Sequence, residues 1–166
     1  MGLGVGAAAQ AVTTAPGPYY AMPSWDQTLP AATRFIVLSN MNNEAVLDRE
    51  TGLVWERAPD AGEVVWAQAI IDCIGLNTGG RRGWRLPSIH ELSSLIDDIN
   101  NRFPALPTGH PFSIHATRFS WTATPWVTNR DDAFVLYLGD GSPRRVSKSK
   151  FTGRWCVRGG QGPEAQ

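Results

Sequence analysis

The residues of this chain whose types could do chemistry are three histidines, two cysteines, two pairs of adjacent aspartates and a run of cations. His110 and His115 lie in one stretch, and Asp97 or Asp98 would complete a metal-binding set if the fold brought them together. Solvated loop histidines are the commoner outcome for such spacing. Asp97-Asp98 and Asp131-Asp132 are paired carboxylates in name only; adjacent residues on a helix point apart, so Asp97 and Asp98 cannot jointly hold a reactive group. His90 stands alone near a helix start. There is no G-x-S-x-G elbow, P-loop, dinucleotide fingerprint or EF-hand loop. Cys73 and Cys156 have neither C-x-x-C nor Cys/His spacing, which argues against zinc and dithiol redox chemistry. An even pair of this kind is a disulfide in an exported protein, or else two buried thiols. The expectation is therefore a chain that is not an enzyme, with no catalytic residue, metal ligand or cofactor.

The cations point to a different chemistry. Arg144, Arg145, Lys148 and Lys150 fall within seven residues, and Arg154 and Arg158 follow on the next predicted strand. Guanidinium forks match sulfate and carboxylate groups bidentately, so the run suits a polyanion. The competing reading is a solvated edge strand whose lysines discourage aggregation. Trp121 and Trp126 are candidates for stacking on sugar rings, although core packing is the commoner role of such aromatics. Arg81, Arg82 and Arg85 are expected to pair with local carboxylates.

Length and composition set the frame that must position these groups. The 166 residues suffice for one domain with a real core. The formal net charge is zero, so no global field argues for nucleic acid or a membrane surface. Charge is nonetheless uneven: residues 140–166 carry six basic and two acidic groups, a local +4. Seven Trp, 17 Gly and 12 Pro predict many turns and an aromatic core rather than long helices.

Residues 1–11 read as a signal-peptide remnant or a disordered tail, with Ala9-Gln10-Ala11 matching the A-x-A cleavage pattern but no basic stretch before it. The apolar run there is too short to span a bilayer. Residues 12–33 read as a linker or extended arm, 34–160 as the domain and 161–166 as a tail. Within the domain, Phe35 to Leu38 is a short strand. Ala45–Asp48 and Leu53–Glu56 flank a hairpin with Gly52 at its tight position. A helix is predicted from about Glu63 to Leu76, with Trp66, Ile70, Cys73 and Ile74 on one face. The stretch Gly83 to Leu92 then turns a corner. Trp84 anchors it, Arg85 and Leu86 lead to Pro87, and Ser88 with Glu91 has the spacing of a capping box. The helix it starts is predicted to run to about Asn100. Residues 101–118 form a long loop. Strands follow at Phe119 to Thr124, at Ala133 to Leu138, at Pro143 to about Ser149 and at Arg154 to Arg158. Trp126 to Thr128 either continues the first of these or forms a separate short strand.

Taken in order, T-G-L-V-W-E at Thr51 to Glu56, the Trp66/Cys73 helix, G-W-R-L-P-S at Gly83 to Ser88, S-W-T-A-T at Ser120 to Thr124 and R-W-C-V-R-G-G at Arg154 to Gly160 resemble the C-terminal domain family of the Legionella collagen-like adhesin. The resemblance covers about residues 34–160. It implies an α+β, C-type-lectin-like fold, with two helices packed on small antiparallel sheets and a loop-rich half. It also implies a disulfide between Cys73 and Cys156, with N- and C-terminal strands side by side. No collagen-like repeat precedes the domain here, so a stalk-driven trimer does not carry over. Neither E-P-N, Q-P-D nor W-N-D occurs, which disfavours calcium-dependent sugar binding. The reactive cysteines of the formylglycine-generating enzymes are also missing. The expected function is a non-catalytic, exported surface or periplasmic module, adhesin-like, recognising polyanionic glycans or another cell-surface macromolecule. The alternative is a self-associating subunit of a filament or appendage that uses the N-terminal arm. Neither reading includes nucleic acid or a transmembrane segment.

Overall fold

The computed structural model describes residues 29–97, 103–114 and 118–160. One helical turn, α1 (Ala31–Arg34), leads into an antiparallel meander of β1 (Phe35–Val37), β2 (Ala45–Asp48) and β3 (Val54–Glu56). The β2–β3 hairpin turns on Gly52 at φ 71°, a left-handed angle that a residue without Cβ adopts at no steric cost. Next come α2 (Trp66–Gly75), β4 (Trp84–Arg85) and α3 (Ile89–Ser93). The chain ends with β5 (Phe119–Pro125), β6 (Asp132–Tyr137), β7 (Pro143–Ser147) and β8 (Val157–Arg158). One sheet has the order β1-β2-β3-β8-β4 and the other β5-β6-β7, with every neighbour antiparallel. This is the expected α+β class: short helices on two small sheets.

Several boundaries differ from the sequence reading, each for a local reason. Helix α2 starts at Trp66 rather than Glu63, because Val64 exchanges two backbone hydrogen bonds with Thr152, at 2.9 and 3.0 Å. Its inward face is Ala69 and Cys73, with Trp66 and Ile70 half-buried, whereas Ile74 is 64% exposed. Helix α3 stops at Ser93, well before Asn100, which with Ile99 lies outside the described residues. The amides of Leu95 and Ile96 tighten onto the Leu92 and Ser93 carbonyls, and Asp97 N–H turns away to Ala105 O at 2.9 Å. Leu92, Leu95 and Ile96 are still buried, so the apolar spacing marked a core-facing segment longer than its helix. Trp126 to Thr128 is the bend of the β5–β6 hairpin, not a strand. The last strand lies between β3 and β4, with β2 and β3 separating it from β1. Glu56 holds it there: its N–H donates to Cys156 O at 3.3 Å, and its carboxylate accepts Cys156 N–H at 2.8 Å.

Two apolar clusters fill the interior. One is organised on Trp55, Trp155, Phe112 and Phe35, with rings meeting edge to face at 5.0–5.5 Å between centroids. The other gathers Trp84, Trp121, Val135 and both cysteines. Cys73 on α2 and Cys156 just before β8 form the disulfide, which ties the helix to the first sheet.

A buried ionic network joins the N-terminal segment to this frame. The Arg34 guanidinium, 1% exposed, donates to both Asp48 carboxylate oxygens at 2.9 and 2.8 Å. It also donates to Ser94 O at 2.7 Å, beside the C-terminal end of α3, where a cation complements the helix dipole. Glu50 stands 3.3 Å from its remaining edge and accepts Leu29 N–H at 2.7 Å. Residues 29–33, which composition assigned to the arm, are therefore fastened to the domain.

Glu56 carries a pH dependence. Burial pushes its carboxyl up from 4.5 to about 7, against the opposing pull of the Cys156 amide and the Arg154 charge. The folded chain thus binds a proton that the unfolded chain releases between pH 4.5 and about 7. Stability from this group is full below that window and falls as pH rises through it, by about 3 kcal/mol in all. Glu56→Gln keeps an acceptor for Cys156 N–H without the buried charge. It is expected to raise the urea midpoint at pH 8 and to leave it nearly unchanged at pH 4.5. An equal shift at both pH values would contradict the assignment.

Candidate functional site

Strand β7 is the outer strand of its sheet, and its register on β6 sets Arg144 opposite Val135 and Arg145 opposite Phe134. Neighbours on a strand point to opposite faces, so the two arginines project on the two sides of the edge. Both are exposed. Arg144 lies over the Tyr137 ring at 5.9 Å and reaches the Ser142 hydroxyl at 3.4 Å. Arg145 lies 5.7 Å from the Trp126 ring centroid and 3.6 Å from the Asp132 carboxylate. Lys148 donates to Arg130 O at 2.6 Å and sits 4.2 Å over the Trp66 ring. Lys150 is exposed on the turn that follows.

The structure sets Arg144 and Arg145 on the two sides of β7 and Lys148 and Lys150 after its end, and takes Arg154 away from them. Arg154 is mostly buried beside α2, paired with Asp60 at 3.3 Å and Asp72 at 3.2 Å. Of the two candidate stacking residues, Trp126 is half-buried and edge-on to Phe134, with Arg145 above it. Trp121 needs a correction. It is fully buried and its indole N–H donates to Val64 O at 2.8 Å, so it offers no face to a sugar.

The Gly83 to Leu92 corner is scaffold. Both arms of the capping box are made: Glu91 N–H donates to Ser88 Oγ at 3.2 Å and Ser88 N–H to the Glu91 carboxylate at 2.8 Å. Arg85 grips the same carboxylate bidentately at 2.8 and 2.6 Å. Trp84 donates to Arg81 O at 2.8 Å, Leu86 is buried, and Pro87 O accepts Ala123 N–H at 2.7 Å. Gly160 closes against this pair; a Cβ there would lie 2.8 Å from Leu53 and 3.0 Å from Arg85. Arg85 therefore pairs as expected, whereas Arg81 and Arg82 have no carboxylate partner among the described residues.

The histidine set stays incomplete. Asp98 and His115 lie outside the described residues. His110 uses Nδ1 to accept Phe112 N–H at 3.2 Å, stacks on that ring, and is held below its usual pKa by burial.

A concavity elsewhere on the domain went unmarked in the sequence reading. A groove of about 740 Å³ is lined by Asn43, Glu44, Arg57, Ala58, Leu76, Asn77, Thr78 and Ser113. These come from four separate stretches of chain, which is why no local pattern announced them. The one signal was Asn42-Asn43, a dipeptide that tolerates the left-handed angles found there, φ 54° and 58°.

No described helix is long and apolar enough to cross a membrane. No curated protein matches the chain. The model of the Lcl C-terminal domain family matches residues 44–158, from just before β2 to the end of β8, and takes in every strand but β1, together with the disulfide and the basic hairpin. The chain belongs to the Lcl C-terminal domain family and is in that sense an adhesin-like protein.

Proposed function

We propose that this protein is an exported, non-catalytic binding module that holds polyanionic glycans along the β6–β7 hairpin and the turn after it. The observation that carries the reading is the outer edge of β7, which has no strand beside it among the described residues and presents Arg144 and Arg145 on its two sides with Lys148 and Lys150 beyond them. A linear polyanion running along such an edge meets cations throughout its length. Guanidinium groups take its sulfates or carboxylates bidentately. Trp126, with Arg145 over its ring, adds an apolar surface beside the charges. Arg154 is left out, because Asp60 and Asp72 already neutralise it. Export is supported by the adhesin-like family and by the disulfide, a bond that persists in oxidising compartments.

On a heparin column the full chain is expected to elute well above the salt needed for a weak ion exchanger. The variant with Arg144, Arg145, Lys148 and Lys150 all changed to Ala should elute at much lower salt. Arg81→Ala/Arg82→Ala removes two cations away from the hairpin and should move the elution less. Unchanged elution of the fourfold variant would sink the reading.

A further inference from the structure

We propose that the groove lined by Asn43, Arg57, Asn77, Thr78 and Ser113 is a second ligand site and that it binds a neutral, hydroxyl-rich saccharide. The groove is built rather than incidental. Asn42 and Asn43 both adopt positive φ, at 54° and 58°, as the central pair of a tight turn closed by Glu44 N–H on Met41 O at 2.9 Å, which fixes the backbone on this wall. The Glu44 carboxylate accepts Gly79 N–H at 2.6 Å. Gly79 in turn lies so close to Met41 that a Cβ there would stand 2.5 Å from the Met41 Cβ. The 3-10 turn Thr78–Gly80 is thereby locked against the turn Ser39–Met41. On the other wall, Arg57 donates through Nε to Pro111 O at 3.2 Å and through Nη1 to Asn43 O at 3.3 Å. Its backbone bonds Glu44 O at 2.9 Å and Ser113 N–H at 2.8 Å.

This bracing holds the backbone and leaves the side chains available. Those of Asn43, Asn77, Thr78 and Ser113 have no hydrogen-bond partner among the described residues, and neither does Nη2 of Arg57. Amides and hydroxyls both donate and accept, which is what the vicinal hydroxyls of a sugar require. Leu76 and Ala58 give the groove an apolar patch suited to the C–H face of a sugar ring. Its two charges, Arg57 and Glu44, are of opposite sign, so it favours a neutral ligand over a polyanion. A volume near 740 Å³ falls within the roughly 300–1,000 Å³ of small-molecule sites.

The site shares no residue with the basic hairpin, so either proposal can fail alone. The test is an amide chemical-shift titration of the full chain with glucose, galactose, mannose and N-acetylglucosamine. At least one is expected to shift the amides of Asn43, Asn77, Thr78 and Ser113. Asn77→Ala/Thr78→Ala should weaken that sugar about tenfold, as loss of two hydrogen bonds implies. Its spectrum elsewhere should overlay the parent, which shows that the fold is kept, and its heparin elution should not change. The proposal is overturned if none of the four sugars moves these amides, if the shifts fall on Arg144 to Lys150 instead, or if the folded variant binds equally well.

Discussion

Arg34→Ala is expected to destabilise the fold by about 3–5 kcal/mol, because it leaves buried carboxylates without their cation. Asp48 is fully buried and accepts from the guanidinium at 2.9 and 2.8 Å, and Glu50 stands 3.3 Å away. Asp48 also accepts from Glu50 N–H at 3.1 Å and Thr51 Oγ at 3.0 Å, which orders the hairpin loop but supplies no positive charge. The loss reaches further than the hairpin, since Ser94 O at the end of α3 also loses its donor. Domains of this size are stable by about 5–15 kcal/mol, so this one change removes a large share. Urea unfolding of parent and variant at neutral pH measures it. A difference below about 1 kcal/mol would show that water replaces the guanidinium without penalty, contrary to the burial of the site.

Removing the Cys73–Cys156 disulfide should cost nearly as much. The bridge closes a loop with a sequence separation of 83. In the chain-entropy model, freeing a loop of that length stabilises the unfolded state by about 4–5 kcal/mol. Both cysteines are fully buried, so the double variant Cys73→Ser/Cys156→Ser buries two hydroxyls in the apolar cluster around Trp84, Trp121 and Val135. Cys73→Ala/Cys156→Ala separates the two effects, because alanine removes the crosslink without burying a hydroxyl. The alanine pair is expected to lower the urea midpoint strongly and the serine pair more strongly still. Burial also means that reductant attacks only molecules that have opened, so the parent should lose its bridge slowly under native conditions and quickly in urea. An alanine pair as stable as the parent would contradict the role given to the bridge.

What the sequence made legible was local. The capping box at Ser88 and Glu91, the hairpin at Gly52 and the continuous apolar run of β6 are each written in a few consecutive residues, and each forms as read. The cysteine pairing was legible through the resemblance, not through spacing alone. Features that depend on chain meeting chain were not. Arg34, Asp48, Glu50 and Ser94 are spread over sixty residues, and nothing in their neighbours marks a shared site. Arg154 belongs to the same basic run as Arg144, yet Asp60 and Asp72 claim it once α2 and the strand connections bring them close. Trp121 sits in an alternating strand, but its own face is covered by the cluster it forms with Trp84, Ala133 and Val135. The end of α3 was overestimated because Leu95 and Ile96 keep helical spacing after the hydrogen bonds have changed partners.

The central claim is that the β7 edge and its following turn hold a polyanion by charge. It is tested most directly by the salt dependence of affinity for a sulfated glycosaminoglycan. Polyelectrolyte binding weakens linearly in log K against log salt, with a slope near the number of cations engaged. The parent chain is expected to show a slope that falls by about 2–4 when Arg144, Arg145, Lys148 and Lys150 are changed to Ala together. A parent that does not bind the sulfated chain, or a variant with the same slope and affinity, would contradict the account.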